Sequence, residues 1–326
     1  MKKLLLLFFF QMMTLGMMSQ DVKFSFSGGI SNSVMRSSME RRISCLLTEI
    51  NVACTSNRDL QLETLHLTPR ASKSLQMLWK NFHFRCDQSV IHQLCLQDVN
   101  GFEVRGIAIT LQPMGSNFKG ELNRELTVCF APDQEITGVH MSLANNMFAS
   151  IFNKSRNLTD TLRRLEIIKF VEDFRSYYDE KDLESLRNVY SDDALIITGK
   201  VIQRKSLGND QARMRPEIVY SKQNKEQYLT SLQRVFDNNR FIRVTFDNIQ
   251  VRSHRAKAGF YGVTLHQKWQ SSNYCDDGYV FLLWEFKDGA SPVVHVRTWQ
   301  PDMIGSRKLD EDEVFNENDF IIPDVE

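Results

Sequence analysis

The segment from Arg163 to Gly199, RRLEIIKFVEDFRSYYDEKDLESLRNVYSDDALIITG, most constrains what this chain can fold into. Leu165, Ile168, Phe170, Val171, Phe174, Tyr177 and Tyr178 recur every three or four residues, which predicts a long amphipathic helix with one wide apolar face. Asp179 to Asp182 offers nothing apolar to bury and turns the chain. Asp182 then caps a short second helix carrying Leu183, Leu186 and Tyr190. Asp192 and Asp193 end that helix, and Ala194 to Thr198 reads as a strand closed by Gly199. A long helix, a short helix and then a strand is an unusual opening for a domain.

The helical pattern ends in Y-x-D-D-A, at Tyr190, Asp192, Asp193 and Ala194. In this the segment resembles the start of the SnoaL-like, ketosteroid-isomerase-like domains, also called nuclear-transport-factor-like and grouped with the cystatin-like folds. The resemblance implies an α+β fold: a cone of helices packed on a strongly curved antiparallel sheet, spanning residues 163–302. It implies no single activity, because isomerases, dehydratases, ligand binders and interaction modules share this fold.

The rest of that span fits. Asn224 with Gln227 three residues on is a capping box, and the helix behind it carries Tyr228, Leu229, Leu232, Val235 and Phe236. Four strands are predicted after it, around Ile242 to Phe246, Tyr261 to Trp269, Tyr279 to Phe286 and Val293 to Gln300. The basic stretch from Val201 to Glu217 reads either as a long hairpin or as an excursion from the sheet. Residues 303–326 form an acidic tail with an apolar tip at Phe320, Ile321, Ile322 and Pro323.

Towards the N-terminus, Lys2 and Lys3 precede Leu4 to Phe10 and an apolar run broken by Gln11 and Thr14. This is the pattern of a secretory signal peptide over residues 1–20, too short to span a membrane. The mature chain is expected to be periplasmic or secreted, without a membrane span. Its general look resembles exported proteins of Bacteroides-type bacteria. Residues 21–38, rich in serine, are expected to be a mobile leader. A helix is predicted from Met39, broken at Asn57 to Asp59, and a second from the Thr68-Pro69 cap to Asn81. Strand candidates follow, among them Phe102 to Ile109 and a hairpin of Leu122 to Phe130 with Ile136 to Leu143. Helices followed by strands repeat the order of the second half. Residues 39–144 are therefore expected to form an α+β domain, either a degenerate copy of the same fold or an unrelated one, with 145–162 as the join.

The 326 residues hold 40 basic and 40 acidic side chains, and a balanced charge gives no support to nucleic-acid binding. The six cysteines lack metal or dithiol spacing. Cys86 and Cys95 stand as one bridge or as buried thiols. Cys45 and Cys54 lie roughly 13 Å apart along one helix, too far to bridge. The histidines show no metal-ligand spacing, so neither metal nor cofactor is expected, and no nucleophile elbow, phosphate loop or H-E-x-x-H occurs.

Candidate site residues come from strand parity and from aromatic content. His295, Arg297 and Trp299 alternate on one strand, and Thr264, His266 and Lys268 on another. Tyr178, Tyr190, Trp269, Tyr279 and Trp284 could wall a ligand pocket. Isomerase-like members of the resembled family use a carboxylate base with tyrosine or acid donors, and dehydratase-like members a His–Asp pair. The carboxylates on offer are Asp173, Asp193, Asp237 and Asp247. Asp193 sits in the motif, and Asp247 with His266 or His295 is the dyad to examine. No coherent catalytic set emerges. The sequence therefore favours an exported non-catalytic protein binding a small molecule, a glycan or peptide fragment, or an envelope protein. The alternatives are an isomerase- or dehydratase-like enzyme on a small hydrophobic carbonyl or sugar-like substrate, and a structural homodimer paired through its sheets.

Overall fold

The computed structural model describes residues 21–98, 101–112, 122–143, 158–206, 213–287 and 291–322. The signal-like residues 1–20, most of the expected join and Pro323 lie outside these. The chain divides into two compact units, Met1–Ala144 and Asn145–Glu326.

The first unit opens on a strand where a mobile leader was expected. In β1 (Lys23–Gly28) Phe24 and Phe26 are buried, and the strand pairs in parallel with β3 (Val90–Asp98). The N–H groups of Val22, Phe24 and Phe26 donate to Thr48 Oγ1, Ser44 Oγ and Glu40 Oε1 at 3.0, 3.0 and 2.8 Å. These three acceptors stand one turn apart along helix α1 (Ser33–Ser56), so the helix satisfies the strand edge that no other strand pairs. α1 starts ahead of Met39 because Asn32 caps it, accepting from Val34 and Met35. It ends at Asn57, which takes the left-handed conformation with φ 48°. Helix α2 (Pro69–Asn81) begins at the Thr68 cap as its sequence predicts. β2 (His83–Arg85), β4 (Gly101–Gln112), β5 (Asn123–Phe130) and β6 (Ile136–Met141) complete a sheet ordered β1-β3-β4-β5-β6, with β2 on β4. Cys86 and Cys95 are free, and burial pushes their thiols up to about 12 and about 11.

The second unit runs α3 (Leu158–Asp179), α4 (Leu183–Val189), β7 (Tyr190–Ser206), β8 (Arg213–Asn224), α5 (Lys225–Asn238), β9 (Ile242–Ser253), β10 (Phe260–Ser271), β11 (Cys275–Glu285) and β12 (Val293–Pro301). Its sheet is ordered β8-β7-β12-β11-β10-β9, antiparallel except where β12 runs parallel to β7. The basic stretch after Gly199 is a hairpin, with β7 and β8 paired from Leu195 and Asn224 to Ser206 and Arg213. Asp179, expected in an apolar-free turn, is buried, and its Oδ1 accepts from Val244 N at 2.7 Å, tying the end of α3 to β9. Asp182 caps α4. The motif residues are structural: Tyr190 and Ala194 are buried, and Asp192 accepts from the buried Lys225 at 2.8 Å.

One expectation about this unit is corrected. The sheet is open, with β8 and β9 ending it unpaired, and it is neither closed nor strongly curled, so the cone on a curved sheet is not found. Both of its faces are covered, one by α3 and the other by the C-terminal segment, and a sheet packed on both faces gains nothing by curling around either. The two units differ in how their parallel strand is placed. In the first, β1 precedes the helices and joins the first strand of the meander, whereas in the second β7 follows the helices and joins the last.

The C-terminal segment continues through a small hairpin of β13 (Met303–Ile304) and β14 (Arg307–Lys308) into two short 3₁₀ turns. Phe315, Phe320 and Ile322 pack on Phe260, Phe281, Leu283 and Val296, with Phe320 stacked on Phe281 at 5.4 Å. The face through which a homodimer was expected to pair thus carries the chain's own tail. No helix among the described residues is long and apolar enough to cross a membrane.

Phe174 is the hub on the other face: it is fully buried and its ring meets Tyr178, Tyr190, Phe246 and Trp284 at 5.1 to 6.4 Å. Phe174→Ala is expected to lower stability by about 3–5 kcal/mol, read from denaturant unfolding curves.

Candidate functional site

On α3, Phe170, Phe174 and Tyr178 stand one turn apart and lay a row of rings towards the sheet. The Tyr178 hydroxyl lies 3.0 Å from that of Tyr190, at the start of β7, and 2.8 Å from that of Tyr228 on α5. Tyr228 is placed by the capping box of Asn224 and Gln227, which fixes the first turn of its helix. Beneath these phenols lies Arg297 of β12, buried to 5 % exposure, with its guanidinium 5.3 Å from the centre of the Tyr228 ring. Trp269 of β10 meets Tyr178 edge-on at 5.8 Å, and Trp284 of β11 meets Phe174.

Asp276 completes the group. It pairs in register with Trp269, so both side chains point to the α3 face, and it is half-buried. Trp299 of β12 closes over the same end of the sheet, above Gly278. A Cβ at 278 would lie 3.0 Å from the indole and 2.2 Å from the Gln300 carbonyl, so only glycine fits there. Five expected wall or ligand residues therefore lie together, Tyr178, Tyr190, Trp269, Arg297 and Trp299, while Trp284 stands at the other end of β11 against Phe170, Phe174 and Phe286. Tyr228 and Asp276 join them.

The electrostatics are polarised. Burial pushes the carboxyl of Asp276 up to about 6, against the hydrogen bond from Tyr274 and the charge of Arg297, which pull it down. Burial raises Tyr178 and Tyr190 well above the ordinary phenol range. Burial also works against the charge on Arg297, but the oxygens of Tyr228, Tyr178 and Tyr190 outweigh it and hold the guanidinium firmly protonated. A carboxyl that titrates near neutrality beside fixed hydrogen-bond donors is the usual mark of a site that moves protons.

His266, His295, Tyr279, Asp193 and Asp247 lie on the opposite face. Sequence parity put His295 with Arg297 and Trp299, but the ladder slips by one residue between Val294 and Val296. The bulge turns His295 towards Phe260, with Nε2 2.8 Å from Glu285 and Nδ1 3.4 Å from Asp193. Asp193 is four-fifths exposed and is held low mainly by the hydroxyl of Ser191, so it braces the strand start. His266 Nδ1 is 3.2 Å from Asp247 and Nε2 3.8 Å from Asp302, with Tyr279 edge-on. The hydrogen bond between them holds His266 above and Asp247 below their usual ranges, against burial in both cases. A hollow of about 120 Å³ nearby is walled by Asn248, Gln250, Thr264, Tyr279, Phe315 and Asn316, among others. Its walls hold no buried charge, so the chemistry lies on the α3 face. Among the described residues no cluster is disposed to hold a metal.

No protein-family model matches the chain, and no curated protein matches it. Solved structures do. One is Bd1075 of Bdellovibrio bacteriovorus, 13 % identical over 64 % of this chain and 74 % of that one, TM-score 0.33. Another, assigned as a scytalone dehydratase from Novosphingobium aromaticivorans, is 13 % identical over 47 % of this chain and 92 % of its own, TM-score 0.33. A naphthalene 1,2-dioxygenase with indole bound in its active site is 10 % identical over 50 % and 90 %, TM-score 0.36. Scores this low carry no argument about what this chain does. Asp276, on the same face as the phenols and Arg297, removes the premise that no coherent catalytic set exists. The expectation of a non-catalytic role is accordingly withdrawn.

The His266–Asp247 pair has a signature in pH. A histidine raised on folding stabilises fully below about 6.5, and an aspartate lowered on folding stabilises fully above about 4. The stability lost in His266→Gln is therefore expected to be largest between those values. It should shrink as pH rises through the folded histidine's range and as it falls through that of Asp247, as melting curves across pH will read.

Proposed function

We propose that the second unit is an enzyme of the isomerase or dehydratase type, moving a proton at a carbon beside the carbonyl of a small hydrophobic substrate. The observation that carries this reading is the carboxyl of Asp276, pushed up to about 6 among buried phenols and a buried guanidinium. Ionised Asp276 takes the proton from the carbon, and the electron pair of that C–H bond moves onto the carbonyl oxygen as an enolate. The phenol network and Arg297 stabilise the developing negative charge. Three phenols joined by two hydrogen bonds retain one hydrogen to donate outward. The protonated Asp276 then returns its proton to another carbon, which isomerises the substrate, or to a departing β-hydroxyl, which dehydrates it. Trp269 and Trp299, half-buried at the same end, suit a flat apolar body. The basic tip and apolar run of residues 1–20 support action outside the cytoplasm.

The test is exchange of the α-hydrogens of β-tetralone, followed by proton NMR in deuterated buffer. Wild type should accelerate exchange, with a rate rising through pH about 6 as the base ionises. Asp276→Asn should lose about 10²–10⁴-fold. A carboxyl raised on folding costs stability once ionised, so the same variant should melt no lower than wild type at pH 7.5. No acceleration, or acceleration that survives Asp276→Asn, would sink the proposal.

A further inference from the structure

We infer that the ligand of this site carries a carboxylate on a flat unsaturated body, and that Arg297 receives it. The inference rests on the reading of this cluster as a substrate site and adds the chemical class of what enters. It starts from an imbalance of hydrogen-bonding groups. Arg297 Nε and Trp299 Nε1 are buried donors without a partner, and the acceptor left over beside them is a single oxygen, Asp276 Oδ1. Among the described residues no carboxylate stands within 4.0 Å of the Arg297 guanidinium, which has the Tyr228 ring face and the Tyr178 oxygen instead. A buried cation in that state is costly, and so is each unmade N–H bond.

Two groups of the same kind in the first unit are paired. Trp79 Nε1 donates to the Arg58 carbonyl at 3.1 Å, and Arg58 grips Glu49 through both terminal nitrogens at 2.6 and 2.9 Å. Arg297 Nε and Trp299 Nε1 lie on the face of the sheet that also carries the raised carboxyl of Asp276. What complements them is an acceptor-rich anion, and a planar carboxylate matches the guanidinium fork in shape as well as charge. The aromatic walls set the rest of the ligand, since Trp269 and Trp299 offer ring faces rather than further charge. Trp299 is only half-buried, so the guanidinium is reached by swinging its ring aside.

The test compares trans-cinnamate with its neutral isostere trans-cinnamamide by isothermal titration calorimetry on the chain from Asp21 onward. Wild type should bind the acid about tenfold or more tightly than the amide, the worth of one charge-assisted hydrogen bond. Arg297→Gln should erase that preference and Arg297→Lys restore part of it. Trp299→Phe, which keeps the ring and loses the N–H, should weaken cinnamate and leave cinnamamide nearly unchanged. Should Arg297→Gln fail to fold, wild type and Trp299→Phe decide. Equal binding of acid and amide, a preference that survives Arg297→Gln, or no binding of cinnamate at millimolar concentration each overturns the inference. Tetralone exchange without a preference for cinnamate would leave the base reading standing and remove the anion. A preference for cinnamate without exchange would do the reverse.

Discussion

A guanidinium sealed inside the second unit without a carboxylate beside it is the constraint on which the rest of that unit turns. Arg297 sits on the strand that links the parallel pair to the antiparallel meander, at the middle of the sheet. Its charge is tolerated because three tyrosines from three elements point their oxygens or ring faces at it: Tyr178 from α3, Tyr190 from β7 and Tyr228 from α5. Each tyrosine is held in turn by the packing that defines its element. The long helix, the motif strand and the capped helix therefore converge on one charge, and none can shift alone without uncovering it.

One extra residue in β12 decides how the polar groups are divided between the two faces. The slip between Val294 and Val296 leaves Arg297 and Trp299 under the helices and sends His295 to the side covered by the tail. There His295 joins Glu285 and Asp193, while His266 joins Asp247 and Asp302, pairings that satisfy half-buried imidazoles at the edge of an apolar patch. The histidines that looked most chemical thus support the tail-covered face, and the chemistry passes to a carboxyl and phenols. Without the bulge, His295 and Arg297 would share a face, as simple alternation predicts.

Much of the second unit was legible because its signals are local. Apolar spacing from Ile168 to Tyr178, the Asp182 cap, and Asn224 with Gln227 each act within a turn or two of helix. Strand parity put Arg297 with Trp299, and the aromatic residues singled out include Tyr178, Tyr190 and Trp269, which lie on that same face. What failed depends on partners far along the chain. β1 was hidden because its serines look like a leader, and its order comes from Glu40, Ser44 and Thr48 on the following helix. Tyr228 was read as one more apolar position of its helix. Asp276, in the run Cys275-Asp276-Asp277-Gly278, carries the signature of a turn, and only its register with Trp269 shows which way it points. The curved cone failed for a global reason: the tail of residues 309–322 covers the face that would otherwise be convex.

The position of Asp276 follows from how the end of the sheet is tied down. Its hairpin turn is held by Ser271 and Tyr274, and Asn273 Nδ2 reaches the Asn238 carbonyl at 3.1 Å. Ser272 Oγ accepts from Arg240 N at 2.7 Å, so the turn is bound to the connection that leaves α5. Lys181, in left-handed conformation just past α3, donates to the carbonyls of Asn239 and Arg240 from the other side. The carboxyl is thereby linked through one short loop to the helix bearing Tyr228 and to the one bearing Tyr178. Base and donors thus share a frame of hydrogen bonds from loop side chains to backbone groups, in addition to the bonds among the phenols, an arrangement that keeps reacting groups in place. The half-buried ring at the mouth, Trp299, lies outside that frame of bonds, so the site opens by moving this wall and leaves its acid–base groups where they are.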